Sequence, residues 1–406
     1  MEYDGDEVML DEGEAVQEEE LMDTLRDLRE KGELKFDDPD DEDGEEEEIE
    51  EDEEDDEDVP NEAKLTCTYH QDSVFSIALK EEGDSFVIAT GGGDDIGGIF
   101  SVSKSDLESA EESIIINEFG KKLEGHNESI TCMQWNYDKS ILATADMDGN
   151  VQLWSGDDEP LLLQGPSDSI EWLCWHPRGN VITAGSADST CWMWNSKGKC
   201  LNIFSGHDGS ITCGGFSPDG KLLLTGGRDE SVRVWLPTQA KTQQILSGDL
   251  FHQAPVLCFD LNDSVIVSGA EDGSIRLSNY ITGKILSRYE DHEDSVESIQ
   301  ICKTLPIFTT ASLDGLLKVW DMGNGKLRST VLAHEGGIIK SKVHASEPLI
   351  YTCGVDGTVK VWDIRNSTCI KTFLGHKKPV LDLKISDDGK TILSCSDDKT
   401  ARVFRW

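Results

Sequence analysis

Basic residues are scarce in this chain. Lys and Arg number 36 against 81 Asp and Glu, a formal net charge of −45. A field of that sign repels DNA, RNA and anionic lipid and attracts basic partners, so direct nucleic-acid binding is not expected. Long apolar runs are missing too: none approaches the ~18 residues that span a bilayer, and no membrane insertion is expected. The opening residues, MEYDGDEVMLDEGEAVQEEE, are acidic, the reverse of a secretory or mitochondrial leader. The 11 cysteines contain no CxxC pair and no even framework, and most fall in apolar strand patterns (Cys132, Cys213, Cys258, Cys353, Cys395). That usage reads as reduced, buried thiols in a cytoplasmic protein, with the nucleus as a further location. GxSxG, HExxH and clustered metal ligands are all absent. GGGDDIGG at 91–98 is glycine-rich, but it lies in a strand–turn–strand frame and does not open a helix as a phosphate loop does. No catalysis, cofactor or metal is expected.

What is present divides into a tail and a repeat. Residues 1–62 carry 34 acidic against 4 basic residues, and 19 of the 22 positions from Asp37 to Asp58 are acidic. Such a run cannot bury enough apolar surface to offset its ordering entropy, so a disordered tail is expected. It is either a solvating extension or a mobile polyanion that screens a basic client. Leu21, Leu25 and Leu28 share a weak helical face within it.

From residue 63 to residue 406 one frame recurs: a His, an apolar alternation, a turn, a second strand, an Asp, and an aromatic six residues later. The Asp slot holds Asp94, Asp148, Asp188, Asp229, Asp272, Asp314, Asp356 and Asp398; after a longer first step the spacings are 40 to 43 residues. Short alternating strands at this period resemble WD repeats, and eight slots predict an all-β, single eight-bladed propeller over 63–406. AKLTCTYH at 63–70 is expected to close the ring as an outer strand beside TARVFRW.

The WD resemblance implies a buried polar network in each blade, built from the His, a Ser or Thr four residues before the Asp, the Asp and the Trp. The sets are His126, Thr144, Asp148 and Trp154; His207, Thr225, Asp229 and Trp235; His292, Thr310, Asp314 and Trp320; and His334, Thr352, Asp356 and Trp362. His376, Ser394 and Asp398 form the last, while His70 with Thr90 and His252 with Ser268 and Asp272 hold the same slots without a Trp. Seven copies of one constellation argue for structure rather than an active site. The third repeat departs from it, with Pro166 for His, Ala184 for Ser/Thr, and two extra aromatics, Trp172 and Trp192. These either pack together in the vacated space or anchor a partner.

Partners of WD propellers usually sit at the narrow channel mouth. The residues expected there are apolar (Phe75, Met147, Leu257, Leu313, Ile339, Val355, Leu381) or acidic (Glu171, Glu271, Glu297, Asp397), with Arg228 the one base. Trp172 and Trp192 join them as candidate contacts. Such a rim suits a peptide rich in Arg, Lys and aromatics, because carboxylates pair guanidinium forks while apolar groups cover rings.

DSIEWLCWHPRGNVITAGSADSTCWMWN goes beyond a generic repeat. Its EW..WHP and G.AD...WMW elements resemble the angio-associated migratory cell protein family. That family includes a fungal dedicated chaperone for an L-ten-type large-subunit ribosomal protein. The resemblance implies capture of the basic amino-terminal segment of a nascent ribosomal protein and escort into ribosome assembly, by a monomer. The alternative is a cytoplasmic or cortical scaffold in signalling and cell migration.

Overall fold

A computed structural model describes residues 60–156 and 158–406. The acidic tail, with its expected disorder and its Leu21–Leu25–Leu28 face, falls on residues outside that description.

Each repeat folds into four short antiparallel strands. Blade 7 shows the scheme: Ile338–Val343 innermost, then Leu349–Gly354, Val359–Asp363 and Thr368–Phe373. The second strand is buried from end to end because neighbouring blades cover both of its faces. The outermost strand of blade 4, Lys241–Leu246, alternates between exposed and half-buried until Leu246, which is buried, since one face meets water. Third-strand tryptophans such as Trp235 and Trp320 wedge between blades, fully buried. Among the described residues eight such sheets form the propeller.

Blade 1 explains the longer first step. Between its third strand, Gly97–Ser103, and its fourth, Lys121–Leu123, the chain inserts a short helix (Lys104–Ser109) and a strand (Ile114–Ile116). That strand leaves its own blade and pairs in parallel with Leu65–Cys67 at the outer edge of blade 8. Leu65–Cys67 itself runs antiparallel to Ala401–Arg405, with Leu65 opposite Val403. The ring is thus closed by segments from both ends of the propeller, and the 63–70 stretch does what its pattern predicted. Just upstream, the Glu62 carboxylate accepts from the Leu374 amide (2.9 Å) and from Lys371 Nζ (3.0 Å), so the contacts of this closing segment extend to Glu62.

Inner strands share two features. Each except that of blade 4 has a bulge after its first residue, for example between Ile338 and Lys340, which resets which side chains face which way. Several also stitch to the next blade through their fifth residue. Gln134 Oε1 accepts the Trp175 amide at 3.2 Å, Asp260 Oδ2 the Ile301 amide at 2.6 Å, and Gln300 Oε1 the Val343 amide at 3.4 Å.

Candidate partner-binding face

The polar networks build one face of the ring. In blade 7 His334 Nδ1 faces Asp356 at 2.9 Å and Nε2 meets Thr352 Oγ1 at 2.7 Å, while Trp362 Nε1 donates to the same hydroxyl at 3.0 Å. Blades 4 and 6 repeat this through His207, Thr225, Asp229 and Trp235, and through His292, Thr310, Asp314 and Trp320. In blade 8 His376 bonds Ser394 and Asp398, with Phe404 in place of an indole. Blade 1 lacks the Trp as well, and there the Tyr69 hydroxyl bonds Thr90 at 2.6 Å. Tyr69 reaches across Gly98, where any Cβ would lie 2.6 Å from its hydroxyl, so the glycine-rich stretch has a packing reason.

Two sequence assignments need correction. His126 Nδ1 pairs with Asp146 at 2.7 Å, not with Asp148, which is exposed; Thr144 and Trp154 complete that network. Asp146 closes the second strand and is fully buried, so its carboxylate lies nearer the ring than one in the following turn. In blade 5 His252 Nδ1 meets Ser274 Oγ at 2.7 Å rather than Asp272, because Ser274 is buried beside the ring while Asp272 stays exposed and caps the Ser274 amide. Without a carboxylate opposite, burial and then the nearby Arg276 charge pull the His252 pKa down to about 3.

Blade 3 has a different internal wiring. Trp194 Nε1, with no hydroxyl at Ala184, donates to the Gln164 carbonyl at 2.7 Å. Trp192 stacks on Trp194 at 5.9 Å and 19°, and its own N–H bonds Thr190 Oγ1 at 2.9 Å. Where other blades carry Lys318 or Lys360 at that slot, the ammonium bonds the carbonyl preceding the His; in blade 3 Trp192 makes no such bond, and Trp194 reaches a carbonyl one residue further back, that of Gln164. Trp172 is only 8% exposed. Its indole lies against Gly185 and Gly214, where a Cβ would come within 2.1 Å and 2.0 Å of the ring. Trp172 is therefore packing between blades 3 and 4 and offers a partner little surface. Trp192 is half-buried.

The networks also shape the rim. A carboxylate oxygen of the Asp accepts the amide of the residue that follows the His slot: Gln71 (3.0 Å), Ser167 (2.9 Å), Asp208 (3.1 Å), Glu293 (3.2 Å), Glu335 (3.3 Å) and Lys377 (3.1 Å). In these six blades the Asp thereby fixes an exposed loop on the channel-mouth face. Those loops carry Asp72, Asp168, Asp208, Glu293, Asp294 and Glu335, with Glu128 in the corresponding loop of blade 2, all exposed, against Lys377 and Lys378. Sequence reasoning counted only strand starts and the residue before each Asp, and so passed over these acids.

The residues it did name stand as follows. Glu171, Glu271, Met147 (45%) and Val355 (37%) are exposed; Phe75, Leu257, Glu297, Leu313, Ile339, Leu381 and Asp397 are half-buried. Glu297 accepts from Ser295 Oγ at 2.6 Å. Asp397 is bonded by Ser73 Oγ of blade 1 and lies 3.5 Å from Lys378 Nζ, so part of its charge is already spoken for. Phe75, Glu171, Trp172 and Leu381 converge on one cavity of about 310 Å³ in the channel, together with Lys340, Lys342, Asp382 and Lys384, which were not foreseen. Among the described residues no three of His, Cys, Asp and Glu group as a metal site, and the 11 cysteines are free thiols.

An eight-bladed ring with a shaped acidic and apolar face is the architecture of a WD-repeat binding protein. The model of the WD domain, G-beta repeat family matches residues 117–155, 160–195, 198–235, 243–278, 283–321, 325–363 and 367–405, and the chain belongs to that family. The human angio-associated migratory cell protein is 30% identical over 267 residues, 61% of this chain and 58% of its own length, so the chain spans less than two thirds of that relative. Sqt1 from Chaetomium thermophilum superposes with a TM-score of 0.77 at 23% identity, over 86% of this chain and all of that one. The same protein bound to the N-terminus of the ribosomal protein L10 gives 0.76 at 23% identity over the same shares. These likenesses show a shared fold.

Proposed function

We propose that this chain is a dedicated, non-catalytic chaperone that captures the basic amino-terminal segment of an L-ten-type large-subunit ribosomal protein and escorts it toward ribosome assembly. The observation that carries this reading is the rim. Seven exposed loop acids join Glu171, Glu271, Glu297 and Asp397 around apolar Met147, Val355, Phe75 and Leu381, on one face. A segment of Arg or Lys with interleaved aromatics would meet carboxylates for its charges and apolar side chains for its rings. Loops held by buried networks need little reordering on binding, which lowers the entropic cost of association. The fungal Sqt1 complex, a propeller of this fold holding the N-terminus of ribosomal protein L10, supports the choice of client. The name of the human relative supports the second reading, a cortical scaffold in cell migration.

Affinity purification of the tagged chain after nuclease treatment, eluted by stepwise salt and identified by mass spectrometry, separates the two. The chaperone reading expects one basic large-subunit ribosomal protein in near-stoichiometric amount, released as salt rises. Recovery of cortical or signalling proteins without a ribosomal client would replace it with the scaffold.

A further inference from the structure

Three blades stitch to their neighbours through an acceptor at the fifth inner-strand residue, Gln134, Asp260 and Gln300. Blades 7 and 8 place Lys342 and Lys384 there. An ammonium has donors only, so neither can take the neighbouring amide and neither is explained by the stitch. Lys384 turns to Asp382 on its own strand as an ion pair. Lys342, and Lys340 two residues before it, make no hydrogen bond or ion pair within the described chain. All three lysines line the 310 Å³ channel cavity beside Asp382, whose Oδ1 is buried with no partner. A second cavity of about 230 Å³ adjoins it through Met133, Gln134 and Lys384; it is lined by Lys139 and by Trp135, whose buried indole N–H has no acceptor.

The waist of the channel thus gathers several unused donors and one unused carboxylate acceptor. We propose that it binds a protonated phosphate-class oxyanion: hydrogen phosphate, which carries one O–H at neutral pH, or the phosphoryl group of a small phosphomonoester, whose second pKa of ~6 lets it take up one proton from solvent on binding. Its oxygens accept from Lys340, Lys342 and Lys384, and its single O–H donates to Asp382. Burial, followed by the charges of Lys384 and Lys340, holds the Lys342 pKa down to about 8, and a bound anion relieves that crowding. The Asp382 acceptor also gives selectivity, because sulfate carries no proton at neutral pH and leaves that carboxylate facing a bare oxyanion. This site does not depend on the nature of the client at the rim.

The test is calorimetric titration of the full chain with inorganic phosphate, with glycerol 2-phosphate and with sulfate, repeated on Lys342→Gln. Glutamine stands at this position in blades 2 and 6, so the variant restores a stitch acceptor and keeps its thermal midpoint. Expected is binding of phosphate or the phosphomonoester, the tighter of the two identifying the source. Sulfate should bind more weakly, and the variant should lose about tenfold to a hundredfold in affinity, the worth of one charge-assisted hydrogen bond. No heat with either phosphate at millimolar concentration, equal affinity for sulfate, or equal affinity in the variant would each overturn the proposal.

Discussion

Thr352→Val isolates the polar network from packing. Valine matches threonine in shape, so no cavity opens at this fully buried position. The loss falls on hydrogen bonds alone, and their direction follows from chemistry. Asp356 accepts only, so His334 Nδ1 carries the proton; burial keeps the ring neutral, which makes Nε2 an acceptor. The Thr352 hydroxyl therefore donates to Nε2 and accepts from Trp362 Nε1. Removing it strands an acceptor and a donor in the interior. At about 1–3 kcal/mol for each unsatisfied group, the variant loses about 2–6 kcal/mol. Blade 5 supplies the graded control: Ser278 stands where the Trp would be, so Ser268→Ala strands only His252 Nε2 and loses about 1–3 kcal/mol. Guanidinium unfolding followed by tryptophan fluorescence reads both as shifts in midpoint at constant slope. Equal losses in the two variants, or a Thr352→Val midpoint within about 0.5 kcal/mol of the parent, would refute the shared-hydroxyl account.

Stability should also fall in mild acid. Burial lowers the pKa of His252 to about 3 and lowers those of His292, His334 and His376 as well. Between the unfolded value of ~6.5 and the folded one, the unfolded chain binds protons that the folded chain refuses. The stabilisation is complete above pH ~6.5 and declines below it, by about 1.4 kcal/mol per pH unit for His252 alone; a midpoint that stays flat from pH 6.5 to 5 would contradict this. The network aspartates, held low by their histidines against the opposing effect of burial, add their own loss only below pH ~3.9. At the boundary of blades 3 and 4, Gly214→Ala forces a Cβ to 2.0 Å from the Trp172 ring and should cost about 1–3 kcal/mol; adding Trp172→Ala, itself worth about 3–5 kcal/mol, should remove that cost, and strict additivity in a double-mutant cycle would count against the wedge.

Much of the architecture could be read from spacing, because a period of ~42 with a recurring His-to-Asp interval is a property of sequence itself. Ring closure was legible for the same reason, as 63–70 is a strand pattern left without a blade of its own. Spacing failed where two candidates lie within two residues of each other. In Asp146-Met147-Asp148 the count chose the turn residue, whereas the strand residue faces His126. In blade 5 the count followed the Asp, although Ser274 and not Asp272 lies 22 residues after His252, the spacing of blades 4, 6, 7 and 8. Trp172 was visible as an oddity, yet its burial depends on Gly185 across the hairpin and Gly214 in the next blade, a tertiary fact. The channel lysines escaped because the bulge after the first inner-strand residue resets the two-residue alternation, so distance from the His does not report what faces the channel. The loop acids needed only a wider count, as each directly follows a His slot or comes one residue later.

The central claim is that the rim holds a basic peptide through its carboxylates. The measurement that tests it most directly is calorimetric titration of the full chain with the amino-terminal peptide of an L-ten-type ribosomal protein, the proposed client, at low and high salt. The Glu171→Lys, Glu297→Lys, Asp397→Lys triple variant is titrated alongside, after its thermal midpoint has been matched to the parent. The account predicts one-to-one binding that weakens steeply with salt and is lost in the folded triple variant. Binding of equal strength in that variant, or indifference to salt, would contradict it.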